Sequence, residues 1–321
     1  MTSKCHNPII RLLFATLVYA TTYNLSAQTP SELPADTPNA ADANDSENLA
    51  KQANQALDES MSRVAQSEWL QARIRLRVHL FDNPLEGTGS YLKGPKSQMR
   101  LELKISLDDR HPPSSLQQVC DGRWLWDHRE VLGSRNLRKV DVTAVRDALA
   151  RSKRNPGELR QQTSMFQDHI GLGGLEELVR RLKNQFDFSL AAPIKVGDEV
   201  RLVLHGGWNR TILGQMLPEQ KAALEAGQAA DYSKLPDHVP DHVVLLLGKD
   251  DHFPYRVEYR RTTGPRPAPG KLPPGKLLVA MELFDVKINQ PVDELNFFYK
   301  SELVAEDQTA SYIKELGLEP K

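Results

Sequence analysis

Cysteine is almost missing from this chain of 321 residues, with only Cys5 and Cys120 present. Cys5 falls inside an N-terminal segment that reads as a leader, so the rest of the chain holds one thiol and cannot close an internal disulfide. Stability must then come from the core. An excess of basic charge is missing too, since 41 Lys and Arg stand against 42 Asp and Glu, and the footprint of a nucleic-acid binder is absent. Long apolar runs are also lacking. The best, Leu12 to Leu25, is interrupted by Thr21, Thr22 and Asn24 and falls short of the roughly 20 apolar residues that a membrane span needs.

Motifs for catalysis are equally scarce. No G-x-S-x-G elbow, H-E-x-x-H pair or paired-cysteine zinc spacing occurs. Gly264 to Lys271 has five residues between its glycines, prolines at three positions and no Ser or Thr after the lysine, which excludes a phosphate-binding loop. Gly171, Gly173 and Gly174 do not follow a strand as a dinucleotide loop would. The sequence therefore predicts no catalytic residues, no metal and no cofactor.

What is present begins with Lys4 and Arg11 ahead of the apolar run, which ends in Leu25-Ser26-Ala27. This is the layout of a secretory signal peptide over residues 1–27. Its removal makes the remainder more acidic, and Cys5 is badly placed for a lipid anchor. Residues 28–47 are rich in Pro, Ala, Asp and Asn, without Lys or Arg, which predicts a solvated, disordered spacer. From Asn48 to Gln66, Leu49, Ala53, Leu57, Met61 and Val64 recur at helical spacing, predicting an amphipathic helix.

The period then changes to two. Leu70, Ala72, Ile74, Leu76, Val78 and Leu80 alternate with Gln71, Arg73, Arg75, Arg77 and His79, and Met99, Leu101, Leu103, Ile105 and Leu107 repeat the pattern. Only a strand puts such sets on opposite faces. Shorter candidates at Gly89–Lys93, Leu116–Cys120, Arg123–Val131 and Asn136–Val140 complete a meander over 69–140, with Asp121-Gly122 as a hairpin turn. Helices follow at Val142–Arg151, capped by Asp141, and at Leu175–Phe186. Strands resume at Phe188–Val196, Val200–His205, Val243–Leu247, Tyr255–Arg261 and Leu277–Ile288. Residues 207–242 form an insertion with a short helix at Pro218–Ala226, and 264–275 a proline-rich surface loop. With no helical crossover among the early strands, a doubly wound parallel fold is disfavoured. A mainly β, α+β domain over 48–321 is expected.

Several residues admit two readings. Trp124 and Trp126 share a strand face and line either an apolar cavity or the core. Arg73, Arg75 and Arg77 form a stripe that either meets an acidic partner or keeps a solvated face soluble. His238 and His242 stand four apart, but Pro240 between them argues against helical metal ligation and for a turn. Asp250, Asp251 and His252 read as a hairpin tip. Cys120 is a nucleophile only beside a histidine, and otherwise a small buried group.

Three segments carry a resemblance. Gly89-Ser90-Tyr91-Leu92-Lys93-Gly94-Pro95-Lys96 leads into Met99-Arg100-Leu101-Glu102-Leu103; Asp121-Gly122-Arg123-Trp124-Leu125-Trp126-Asp127 follows; then come Glu282-Leu283-Phe284-Asp285-Val286-Lys287-Ile288-Asn289-Gln290-Pro291-Val292-Asp293 and Phe297. In this order they resemble the LolA-like superfamily of outer-membrane lipoprotein carriers and related periplasmic lipid-binding proteins, over about residues 48–300. The resemblance implies a half-open antiparallel β-barrel, a curved sheet with helices covering its concave face. It implies a non-catalytic, monomeric periplasmic protein that shelters acyl chains of a lipid or lipoprotein and meets a membrane-protein donor or acceptor. The lipid-cavity candidates are then Ile74, Leu76, Val78, Leu101, Leu103, Ile105, Trp124, Trp126, Phe284, Val286 and Ile288. The family's lid-holding barrel arginine has no evident counterpart here. Two rivals remain: a regulatory sensor of the same fold that binds a membrane partner, and a metal-dependent hydrolase built on His238 and His242.

Overall fold

The computed structural model describes residues 40–79, 84–106, 112–131, 133–151, 174–263, 271, 273 and 275–319. The expected leader, the expected spacer up to residue 39, Gly171, Gly173 and most of the expected 264–275 loop lie outside them. Among the described residues the strands are β1 (Leu70–Val78), β2 (Leu85–Lys93), β3 (Met99–Ser106), β4 (Ser114–Cys120), β5 (Trp124–Val131), β6 (Ser134–Asp141), β7 (Phe186–Val196), β8 (Glu199–Trp208), β9 (His242–Gly248), β10 (Pro254–Thr262), β11 (Gly275–Ile288) and β12 (Glu306–Asp307). The α-helices are α1 (Ala40–Gln66), α2 (Val142–Arg151), α3 (Gly174–Gln185), α4 (Arg210–Met216), α5 (Lys221–Glu225) and α6 (Thr309–Glu315). No described helix is long and apolar enough to cross a membrane.

The chain divides into two compact units, the first holding Ala65–Leu178 and Met281–Lys321 and the second residues 40–64 and 179–280. In the first the strand order is β12-β6-β5-β4-β3-β2-β1, then the second half of β11. In the second it is the first half of β11, then β10, β9, β8 and β7. The expected mainly β, antiparallel class is found. β1 to β6 form the meander that the alternation marks, each strand antiparallel to the next. The exception is β12, whose two residues run parallel to β6.

In the first unit the alternating sets of β1 and β3 are buried on one face. Each such side chain contributes about 1.5–3 kcal/mol. At the β4–β5 hairpin Gly122 has φ +102°, a conformation only glycine adopts freely. The Asp121 carboxylate accepts from the backbone N–H groups of Arg123 and Trp124 at 2.8 and 2.7 Å. Asp141 caps α2 as expected, accepting from Ala144 N–H at 3.0 Å. Under α2 lies a contribution that the sequence pattern does not mark: Ile313 and Leu316 of the C-terminal segment pack with Val140, Val145 and Ala148.

The second unit corrects two boundaries. The leading helix starts at Ala40 rather than Asn48, so the last part of the expected spacer is helical. The alanine-rich sequence there has high intrinsic helix propensity. The helix expected at Pro218–Ala226 is a 3-10 turn at Pro218–Gln220 followed by α5, with α4 ahead of it. Asn209 caps α4 through Thr211 N–H at 2.9 Å. On α1, Ala53, Leu57 and Val64 of the expected stripe are buried. Lys183 donates to Asp58 at 2.5 Å and His252 pairs with Glu59 at 2.8 Å.

Candidate functional site

The strand register of the first unit builds an aliphatic face. Ile74 stands opposite Gly89, which stands opposite Leu103; Leu76, Gly87 and Ile105 form the next row, and Ala72, Tyr91 and Leu101 the one before. Ile74, Leu76, Val78, Leu101, Leu103 and Ile105, six of the cavity candidates, are all buried here. Glycine on β2 is what lets the rows close. A β-carbon at Gly87 would sit 2.9 Å from Ile105 Cγ1, and one at Gly89 would sit 2.8 Å from Leu103 Cδ2 and 2.0 Å from Glu102 O. The side chains of β3 thus lie over the middle of β2.

The same face turns polar on β4 and β5. Continuing the rows, Ile105 is opposite Ser114, Leu103 opposite Leu116 and then Arg129, and Leu101 opposite Gln118 and then Asp127. Arg129 donates to both carboxylate oxygens of Asp127, at 2.9 and 2.8 Å, and Gln118 Nε2 donates at 3.3 Å. This fork-on-carboxylate geometry keeps a buried charge compensated. A cue for these groups exists in the sequence, because Asp127 and Arg129 continue the inward positions set by Leu125. At the other margin Lys93 Nζ donates to Ala65 O at 3.0 Å, and burial holds its ammonium below the usual lysine range despite Glu176 nearby. Cys120 is buried on this face opposite Leu125. Burial pushes its thiol up, away from the nucleophilic thiolate.

The aromatic candidates fall elsewhere. Trp124 and Trp126 share a face, but it is the one opposite Leu125 and Leu103, and both are half-buried. Trp126 stacks on Tyr299 at 6.0 Å, and Lys139 sits 4.6 Å over Trp124. Phe284 also leaves the aliphatic set. Its ring lies 5.1 Å from the guanidinium carbons of both Arg73 and Arg75. Asp285 follows with φ +51°, which breaks the alternation before half-buried Val286 and Ile288. The arginine stripe is paired: Arg73 with Asp285 and Arg75 with Glu282 at 3.3 Å, and Arg77 with Glu86 at 3.6 Å.

Over this second face runs the segment from Asn289 to Tyr299, pinned by Asn289 N–H to Trp69 O at 2.8 Å and by Arg100 to Asn296 O at 2.9 Å. Phe297 is buried against Gly94, where a β-carbon would lie 2.9 Å from its ring. Leu295, Phe298, Leu303 and Val304 are exposed apolar side chains, Val304 almost fully.

In the second unit His242 is a buried strand residue whose Nδ1 lies 2.5 Å from Asp241 Oδ1. The other Asp241 oxygen accepts from Thr262 N–H at 2.8 Å. His238 belongs to the turn before β9, so the two histidines do not share a helix. Among the described residues no group of three His, Cys, Asp or Glu is placed to hold a metal ion. Asp251 closes the β9–β10 hairpin as its sequence suggests, accepting from Phe253 N–H at 3.0 Å and from Tyr255 O–H at 2.8 Å. Arg261 organises the insertion, with its guanidinium donating to four backbone carbonyls, of Tyr232, Leu235, Pro236 and Val239, at 2.9–3.0 Å.

These features define an antiparallel β protein with an aliphatic sheet face. No family model and no curated protein matches the chain. Among solved structures it is similar to MucB in complex with MucA from Pseudomonas aeruginosa, at 10% identity and a TM-score of 0.38, over 78% of this chain and 61% of that one. It is also similar to the lipoprotein LppX of Mycobacterium tuberculosis, at 8% identity and a TM-score of 0.35, over 76 and 98% of the two chains. A LolA superfamily protein from Nitrosomonas europaea matches at 11% identity and a TM-score of 0.29, over 77 and 97%. The match thus spans less than two thirds of the MucB chain.

Proposed function

We propose that this chain is an exported, non-catalytic binding protein that shelters acyl chains of a lipid or lipoprotein on the aliphatic face of β1 to β3. The observation that carries this reading is the continuous buried set Ile74, Leu76, Leu101, Leu103 and Ile105, with glycines between its rows. Acyl chains lose about 0.8 kcal/mol per methylene in water, so a carrier needs dry aliphatic surface more than reactive groups. The leader at residues 1–27 would deliver it to the periplasm.

A fluorescent fatty-acid titration of two neighbouring variants tests the face. Leu103→Arg places an unpaired charge among the aliphatic rows and should weaken binding on the order of 10-fold or more. Lys104→Ala, on the exposed side of the same strand, should leave binding intact and shift stability by about 0.5 kcal/mol or less. Circular dichroism controls for folding. A folded Leu103→Arg variant that binds as well as wild type, or a wild type that binds no acyl chain, sinks the reading.

A second reading, a sensor that binds a membrane partner, is favoured by the exposed apolar residues Leu295, Phe298, Leu303 and Val304 on one short segment. Replacing these four residues by serine would abolish partner capture and spare fatty-acid binding.

A further inference from the structure

The face assigned to acyl chains is amphiphilic, and its polar half is unevenly satisfied. On β4 and β5, Arg129 and Gln118 both donate to the Asp127 carboxylate. Ser114 does not join them. It lies in the row of Leu76, Gly87 and Ile105, is 2% exposed, and its hydroxyl has no hydrogen-bond partner among the described residues. A buried hydroxyl without a partner costs about 1–3 kcal/mol. An alanine would fill the same position without that cost, so the hydroxyl is not there for packing.

Resting on the proposed acyl-binding role, we infer that Ser114 donates a hydrogen bond to the carbonyl of the ligand's acyl linkage, so that the site takes acyl esters in preference to bare hydrocarbons. The aliphatic rows of β1 to β3 would hold the chain, and the linkage would turn toward β4. There the paired Asp127 and Arg129 already form a polar wall, which a hydrocarbon end would desolvate without replacing its contacts. A site that hydrogen-bonds a ligand group disfavours the analogue that lacks it.

The test is displacement of bound diphenylhexatriene from the full chain by methyl palmitate and by nonadecane, which have the same number of heavy atoms. Wild type should prefer the ester by roughly 3- to 10-fold, the worth of one hydrogen bond. Ser114→Ala should erase that preference by weakening the ester alone, while its thermal midpoint stays equal or rises. Ser114→Thr, which keeps a hydroxyl, should retain the preference. Equal affinity for both probes in wild type, or an unchanged preference in Ser114→Ala, overturns the inference and leaves the acyl-binding role standing. Failure of either probe to displace the dye, with no fatty-acid binding, overturns both. Monopalmitoylglycerol and a peptide bearing a dipalmitoylglyceryl cysteine then separate a free lipid from a lipoprotein end as the source of the ester, the tighter one being the source.

Discussion

The phenolic oxygen of Tyr91 occupies the space a side chain on Gly174 would need: a β-carbon there would lie 2.1 Å from it. Gly174 has φ +58° and opens α3, and the next residue, Leu175, donates its N–H to the same oxygen at 3.4 Å. Burial raises the Tyr91 phenol well above its ordinary range, so the hydroxyl stays neutral. Gly174→Ala should destabilise by roughly 2 kcal/mol or more, from left-handed strain and overlap together. Tyr91→Phe removes the overlapping atom and should cost only about 1 kcal/mol. In urea unfolding the double variant should be more stable than the sum of the two losses implies. Strict additivity would show that the two residues do not compete for this space.

Arg261 offers a second test, because one guanidinium serves four carbonyls of the 232–239 segment. A lysine ammonium cannot fork across them. Arg261→Lys should speed amide hydrogen exchange across residues 232–241 by at least about 10-fold, the loss of a few charge-assisted bonds. The strands of the first unit should be unchanged. Unaltered exchange at 232–241 would mean the segment is held by other contacts.

Asp241 predicts a pH dependence. Burial pushes its carboxyl up, but hydrogen bonds from His242 and Thr262 outweigh that and hold it below the usual carboxylate range. A depressed folded value means that the stabilisation is complete above the unfolded value of about 3.9 and is lost as pH falls through the folded one. Between pH 7 and pH 5 this group should therefore contribute no slope, and below about pH 4 stability should drop. In Asp241→Asn the drop below pH 4 should be shallower. Identical acid profiles for the two proteins would remove Asp241 from the cause.

Much of the first unit was legible because its strands obey a strict period of two: the rows of β1 and β3 read directly as Leu70 to Val78 and Met99 to Ile105. The six aliphatic candidates came with them. Trp124, Trp126 and Phe284 did not, because spacing tells which residues share a face and not which face is the dry one. On β5 the answer lay in Leu125, and on β11 the left-handed Asp285 reset the alternation in a way no local pattern announces. The role of Arg261 was illegible for a different reason. Its partners are backbone carbonyls more than twenty positions away, and carbonyls leave no mark in a sequence.

The placement of residues 306–316 bears on how the molecule is made. Glu306 and Asp307 lie along Arg138 and Lys139 of β6, Thr309 Oγ1 accepts from Asp141 N–H at 2.8 Å, and Ile313 and Leu316 fill the space under α2. A chain leaving the ribosome or a translocation pore from its N-terminus exposes β6 and the underside of α2 long before these residues emerge. Until then that margin presents unpaired backbone and bare Val140, Val145 and Ala148, the features that recruit chaperones or neighbouring chains. Completion of this margin is thus assigned to residues 306–316, and a nascent chain halted before residue 306 should be the form that a holdase retains.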